Sequence, residues 1–320
     1  MKMNNILMVF FITLIWCIKV DAAMIATFNT QLDPTGSSTS TNVMGISGTH
    51  VVGFDKLSPD TGFAYTYNSS GITSGSSTTP IQRPLGMDGD IIVGTSNNNA
   101  DSYYYNTNGG GLQDIPLVNS QPRDISGNLI VGSQSSSSFI FDITGTDTPT
   151  GSFVGAEPGN ENGLFKHPNG DATRAWGIDG NVIVGEAGNS GFIFTYNGLP
   201  GQITGSWQLI DDSTVTELTG TTRVNVQGVS GDYVSGFYDD VDGTHGFFYN
   251  YIEENQFTTI VAPEPTTFMQ ARAIEGDIIA GSYKTAGGVD VGFLYQIPEP
   301  SMFTLCASPI LLLFLRRRRN

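Results

Sequence analysis

Between its two ends the chain holds five arginines, Arg83, Arg123, Arg174, Arg223 and Arg272. A guanidinium group does one kind of chemistry well: its planar fork grips the paired oxygens of a carboxylate, sulfate or phosphate. Each of the five precedes a glycine that closes a Ser-Gly, Asp-Gly or Glu-Gly pair, at distances of 6, 4, 6, 8 and 4 residues. All the offsets are even, so on a strand the five side chains share one face. Two uses follow. The arginines pair with carboxylates and lock neighbouring elements together, or they form an anion site for uronate or sulfate groups on a polysaccharide.

Other chemistries find little support. Carboxylates are numerous enough for a glycosidase pair, but nothing in their spacing singles out two of them. Asp239-Asp240-Val241-Asp242-Gly243 offers oxygen ligands in an incomplete match to a Ca²⁺ loop, and reads as a solvated turn. His50, His167 and His245 occupy unrelated positions, with no HExxH or GxSxG pattern, and Asn108-Gly109-Gly110-Gly111 is a flexible turn rather than a phosphate cradle. Cys17 and Cys306 both lie in the ends, so the body has no thiol nucleophile, cysteine metal site or disulfide. The expectation is a protein with no catalytic residues, metal or cofactor.

The elements that position the arginines form a repeat. Six segments align without a gap: GISGTHVVG from Gly45, GMDGDIIVG from Gly86, DISGNLIVG from Asp124, GIDGNVIVG from Gly177, GVSGDYVSG from Gly228 and AIEGDIIAG from Ala273. Their central glycines, Gly48, Gly89, Gly127, Gly180, Gly231 and Gly276, recur at intervals of 41, 38, 53, 51 and 45 residues. Each core reads as strand, tight turn, strand, with the glycine supplying the positive φ of a hairpin turn. A second glycine five residues on, such as Gly185, ends the strand or admits another backbone.

A short aromatic strand follows each core, for example Gly62-Phe63-Ala64-Tyr65 or Gly191-Phe192-Ile193-Phe194. A third kind, near Ala26, Trp207 and Phe257, is read as the strand that begins a unit. Four strands every 40 to 50 residues, without a sustained helical period, predict an all-β protein: a β-propeller of about six four-stranded units over residues 23–297. Without its ends the chain keeps 8 basic against 28 acidic residues. That excess argues against nucleic acid as a partner.

The stretch GVSGDYVSGFYDDVDGTHGFFYNYIEENQFTTIVAPEP resembles the extracellular HAF repeat family. The likeness runs from Ala26 to about Tyr295 and implies a propeller-like fold with no established activity. Only the unit around Gly231 keeps a histidine, His245, before its Gly-Phe pair; Thr61, Asp101, Ser137, Ser190 and Val291 stand there in the others.

The ends carry an address. Lys2, the apolar run Ile6–Ile18 and small residues at Val20 and Ala22, ahead of a cleavage point after Ala22, read as a secretory signal peptide, residues 1–22. At the other end, residues 298–320 combine Pro298-Glu299-Pro300, an apolar stretch over 301–315, and Arg316, Arg317, Arg318 and Arg319. Fifteen residues make a helix of about 22 Å, short for a hydrocarbon core of about 30 Å. This tripartite end resembles a PEP-CTERM sorting signal. The resemblance implies a Gram-negative bacterium, a transient inner-membrane anchor formed by a short transmembrane helix, and processing by an exosortase-like membrane enzyme after the export machinery and signal peptidase have acted. The expected function is that of an exported, non-enzymatic scaffold or binding module at the cell surface or in the extracellular matrix, associated with exopolysaccharide. The alternative is a secreted carbohydrate-active enzyme, a glycosidase or lyase, on the same scaffold.

Overall fold

A computed structural model of the chain describes residues 24–28 and 40–298, apart from 57–58, 69–70, 77–78, 98–100, 110, 145–150, 157–159, 162, 199–202 and 254–255. The expected signal peptide and everything after Pro298, including Glu299, Pro300 and the arginine tail, lie outside the described residues. Among the described residues no helix is long and apolar enough to cross a membrane.

Residues Met24–Tyr295 form one compact unit of six four-stranded antiparallel sheets. Blade 1 holds β2 to β5 (Thr41–Ser47, His50–Asp55, Thr61–Asn68, Gly71–Ser76), and blade 2 holds β6 to β9 (Arg83–Asp88, Ile91–Thr95, Ser102–Asn106, Gly111–Ile115). Blade 3 holds β10 to β13 (Ser120–Ser126, Leu129–Gln134, Ser137–Asp142, Ser152–Phe153), and blade 4 holds β14 to β17 (Thr173–Asp179, Val182–Ala187, Ser190–Tyr196, Gly205–Ile210). Blade 5 holds β18 to β21 (Arg223–Ser230, Tyr233–Asp239, Thr244–Asn250, Gln256–Thr259). Blade 6 joins both ends of the unit: β22 to β24 (Met269–Glu275, Ile278–Lys284, Asp290–Gln296) pair in turn, and β1 (Met24–Phe28) adds to β24 as the outer strand. The six inner strands touch in a closed circle, β2, β6, β10, β14, β18, β22 and back to β2. The chain is a six-bladed β-propeller.

The phase of the repeat differs from the sequence reading. The strands at Ala26, Trp207 and Phe257 do not begin blades; they are the outer strands of blades 6, 4 and 5. Each blade starts at the axis with the strand before the turn glycine. A repeat has no natural start in sequence, whereas the axis supplies one in space.

The core is distributed as clusters shared by adjacent blades. Val184 and Ile193 of blade 4 pack with Val224, Val226 and Phe247 of blade 5, and Val52 of blade 1 packs with Met87 and Ile92 of blade 2. The β-branched second strands are buried on both faces: Val51 and Val52, Ile130 and Val131, Ile183 and Val184 are all sealed from solvent. No single blade can bury its own faces, which is why the repeats must close into a ring.

All six turn glycines have φ between 53 and 57°. The second glycines face a different constraint. A Cβ at Gly185 would sit 2.0 Å from the carbonyl oxygen of Arg174 on the paired inner strand. Phe192 on the third strand lies opposite Gly185 and covers it. The same glycine–aromatic pairing recurs in blades 1, 2, 3 and 5. These glycines do not end their strands; they let the inner strand's backbone come close, the other role the sequence offered.

Candidate functional site

A β-bulge organises the axis of the propeller. Every inner strand carries one, four residues before its turn glycine, at Met44, Leu85, Arg123, Trp176, Gln227 and Arg272. All six bulged side chains meet around a single axial space of about 10 Å³, no larger than one water molecule. Two of the six are the arginines at offset 4. The bulge has no residue-type signature of its own, yet it leaves a trace in the spacing. The buried residues flanking it, such as Ala175 and Ile178, stand three apart where a regular strand requires two.

The five arginines gather at one end of the axis but separate into two kinds. Arg83 pairs with buried Asp60, from blade 2 to blade 1. Arg174 and Arg223 converge on the carboxylate of Glu186, which is 2% exposed, at 2.8 and 2.5 Å. The second of these contacts crosses from blade 5 to blade 4, and Asn225 Nδ2 adds a hydrogen bond to Glu186 at 2.7 Å. Arg83 and Arg223 also lie over Phe54 and Phe237. Elsewhere the blade 6–blade 1 seam is closed by Asp290, which accepts Lys56 Nζ at 2.8 Å and the hydroxyl of Ser40.

Arg123 and Arg272 have no ion pair with any described carboxylate. Each donates to a neutral amide oxygen two residues back in its own strand, Gln121 and Gln270 respectively. Their Nε atoms, and the indole Nε1 of Trp176, are shielded from solvent and make no hydrogen bond. Arg123 stacks on the Trp176 ring at 4.0 Å. Burial, reinforced by the charges of Arg272, Arg174 and Arg83 and partly offset by Glu186, brings Arg123 down to about 9. Burial likewise brings Arg272 down to about 10, against the favourable charge of Asp290.

Arg123 and Trp176 also form the inner wall of a larger cleft of about 380 Å³ between blades 3 and 4. Ser133, Ser135 and Asn119 supply its hydroxyl and amide rim, and Arg174 and Glu186 its far side. Asn119 and Ser135 are the two non-glycine residues with positive φ among the described residues, both at 55°. In blade 4 the position of Ser135 is taken by Gly188, with φ 63°. Backbone held in this region costs energy and concentrates at sites of function.

The opposite end of the axis is built for closure. The residue before each turn glycine accepts the backbone N–H of the next blade's turn glycine. Ser47 accepts Gly89 at 3.0 Å, Asp88 accepts Gly127 at 2.6 Å, Ser126 accepts Gly180 at 3.0 Å, Asp179 accepts Gly231 at 2.8 Å and Ser230 accepts Gly276 at 3.0 Å. Glu275 accepts Gly48 and closes the ring. Serines and acids alternate around it. Asp124, where four other blades have glycine, accepts the N–H of Ile178 at 3.1 Å.

The remaining candidates stay apart. Asp240 spends Oδ1 on the N–H groups of Asp242 and Gly243 and on His245 Nε2, so the acidic loop is satisfied within itself. Among the described residues no group of acidic, histidine or cysteine side chains is arranged to hold a metal. His50, His167 and His245 lie in different parts of the ring.

The structure therefore defines a propeller with a polar cleft between blades 3 and 4, beside its axis. No protein-family model and no curated protein matches the chain. Among solved structures it is similar to Kluyveromyces lactis Hsv2 with its complete loop 6CD, at 10% identity over 77% of this chain and 71% of that one, with a TM-score of 0.39. A form of KlHsv2 with loop 6CD replaced by a Gly-Ser linker gives 12% identity, 77% and 75% coverage and a TM-score of 0.41. The tail fiber of Staphylococcus aureus phage P68 gives 10% identity, 89% and 54% coverage and a TM-score of 0.32. The blade assignment rests on the strand pairing itself.

Proposed function

We propose that the chain is an exported binding or scaffold module without catalytic activity, displayed at the cell surface or in an exopolysaccharide matrix. Its route would be export, signal-peptide removal and exosortase-type processing at Pro298-Glu299-Pro300. One observation carries the non-enzymatic reading: the blade 3–4 cleft contains a single carboxylate, Glu186, and Arg174, Arg223 and Asn225 all hold it. Glycoside hydrolysis by the usual acid–base route needs two carboxyl groups facing each other across the scissile bond. The oxygens of Glu186 are already committed to two guanidinium groups and an amide.

A glycan array together with a hydrolase and lyase panel tests this reading. Binding without turnover is expected. Turnover abolished by one carboxylate substitution would establish the enzyme instead. For the address, mass spectrometry of the mature C-terminus in the native host should show a chain lacking Arg316–Arg319; an intact tail contradicts processing.

A further inference from the structure

We propose that Arg123, with Arg272 and Trp176 beside it, anchors the anionic group of a ligand, a carboxylate or sulfate, whose body occupies the cleft between blades 3 and 4. The proposal rests on the binding-module reading and gives it a site and a ligand chemistry.

The argument starts from what the two arginines lack. A guanidinium partly withdrawn from water, with its Nε sealed, is stabilised by an opposite charge more than by neutral hydrogen bonds. Arg83, Arg174 and Arg223 have theirs in Asp60 and Glu186. Arg123 and Arg272 line the same axial space, where Asp124 gives a carboxyl oxygen to the N–H of Ile178 and amide oxygens are the arginines' hydrogen-bond partners. Three N–H donors, Arg123 Nε, Arg272 Nε and Trp176 Nε1, end there without an acceptor. They are what an oxyanion supplies acceptors for.

The size and lining of the two spaces set the ligand. The axial space of about 10 Å³ is too small for more than one water-sized group, so the axis takes only the tip of a ligand. The adjoining cleft of about 380 Å³ has room for a ring and is rimmed by serine hydroxyls and an asparagine amide. Those groups match sugar hydroxyls. The protein's acidity repels anions in general, so an anion held here must be gripped locally rather than attracted from afar.

The test is calorimetric titration of the full-length protein, at constant ionic strength, with three probes: sodium sulfate, a galacturonate tetramer and a neutral glucose tetramer. The galacturonate tetramer should bind at least tenfold more tightly than the neutral one. Arg123→Gln should remove that preference, and Arg123→Lys, which keeps the charge but loses the fork, should restore part of it. Circular dichroism and thermal melts on each variant separate lost binding from lost folding. Sulfate binding alone, abolished by Arg123→Gln, would also support the anion site and identify a free oxyanion as its occupant. Equal affinity for the charged and neutral tetramers with no sulfate binding, or anion binding unchanged in both Arg123→Gln and Arg272→Gln, overturns the proposal. Glycans captured on an array by those same variants would leave the binding-module reading standing while this site falls.

Discussion

The carboxylate of Asp179, in blade 4, accepts the backbone N–H of Gly231, in blade 5, at 2.8 Å. The same contact recurs around the ring, so one side chain per blade both ends a hairpin and ties it to its neighbour. Asp179→Ala should cost about 1 kcal/mol, the net worth of one hydrogen bond. Asp179→Asn, which keeps an acceptor, should cost clearly less. Urea denaturation checks both, and equal losses would mean that the contact contributes nothing.

The two glycines of a unit should respond differently to a methyl group. At Gly180 there is open space, and only the φ of 56° penalises alanine, by about 1–2 kcal/mol. At Gly185 the new Cβ would lie 2.0 Å from the carbonyl oxygen of Arg174 and 2.7 Å from the Phe192 ring. Gly185→Ala should therefore cost on the order of 3 kcal/mol or more, if the blade forms at all. Melting temperatures of the two variants give the comparison directly.

The paired and unpaired arginines predict opposite stability effects. Glu186→Gln leaves Arg174 and Arg223 without their counter-charge, and a loss of about 2–3 kcal/mol is expected. Partial exposure of the two arginine heads, 42% and 39%, keeps the figure below that of a fully buried pair. Arg123→Gln removes a half-buried charge that has no ion pair and should stay within about 1 kcal/mol of the parent protein in the absence of ligand. A large destabilisation by Arg123→Gln would mean that this arginine is a strut after all.

Asp124 gives the fold a pH dependence. Burial, with the charges of Asp88 and Glu275, raises its carboxyl from 3.8 to about 8, against the hydrogen bonds from Ile178 and Ile125. Between those values the folded protein keeps a proton that the unfolded chain releases, so this contribution to stability falls as pH rises. Asp124→Asn retains an acceptor for Ile178 and has no proton to lose. Its melting temperature relative to the parent should climb from pH 4 to pH 8, and parallel curves would refute the shift.

Much of this was legible in the sequence, for identifiable reasons. The turn glycines stood out because a positive φ leaves few residues to choose from, and the closing glycines because a carbonyl and an aromatic ring crowd them. Together they give the repeat and the blade count. The ring of contacts at Ser47, Asp88 and their equivalents was visible only as hairpin dipeptides, since a sequence does not show which blade follows in space. The division of the arginines was hidden for a different reason. Arg123 and Arg174 look alike in their strands, but Glu186 directly follows Gly185 in blade 4, and its counterpart after Gly132 in blade 3 is Ser133. The cleft depends on the left-handed turn at Ser135, where nothing in the residue type announces the conformation.

The most direct test of the account is a crystal structure of the protein grown with a galacturonate oligosaccharide. The account predicts an intact sugar in the blade 3–4 cleft with a carboxylate oxygen about 3 Å from Arg123 Nε. A sugar bound elsewhere with the cleft empty, or a cleaved product in it, would contradict the account.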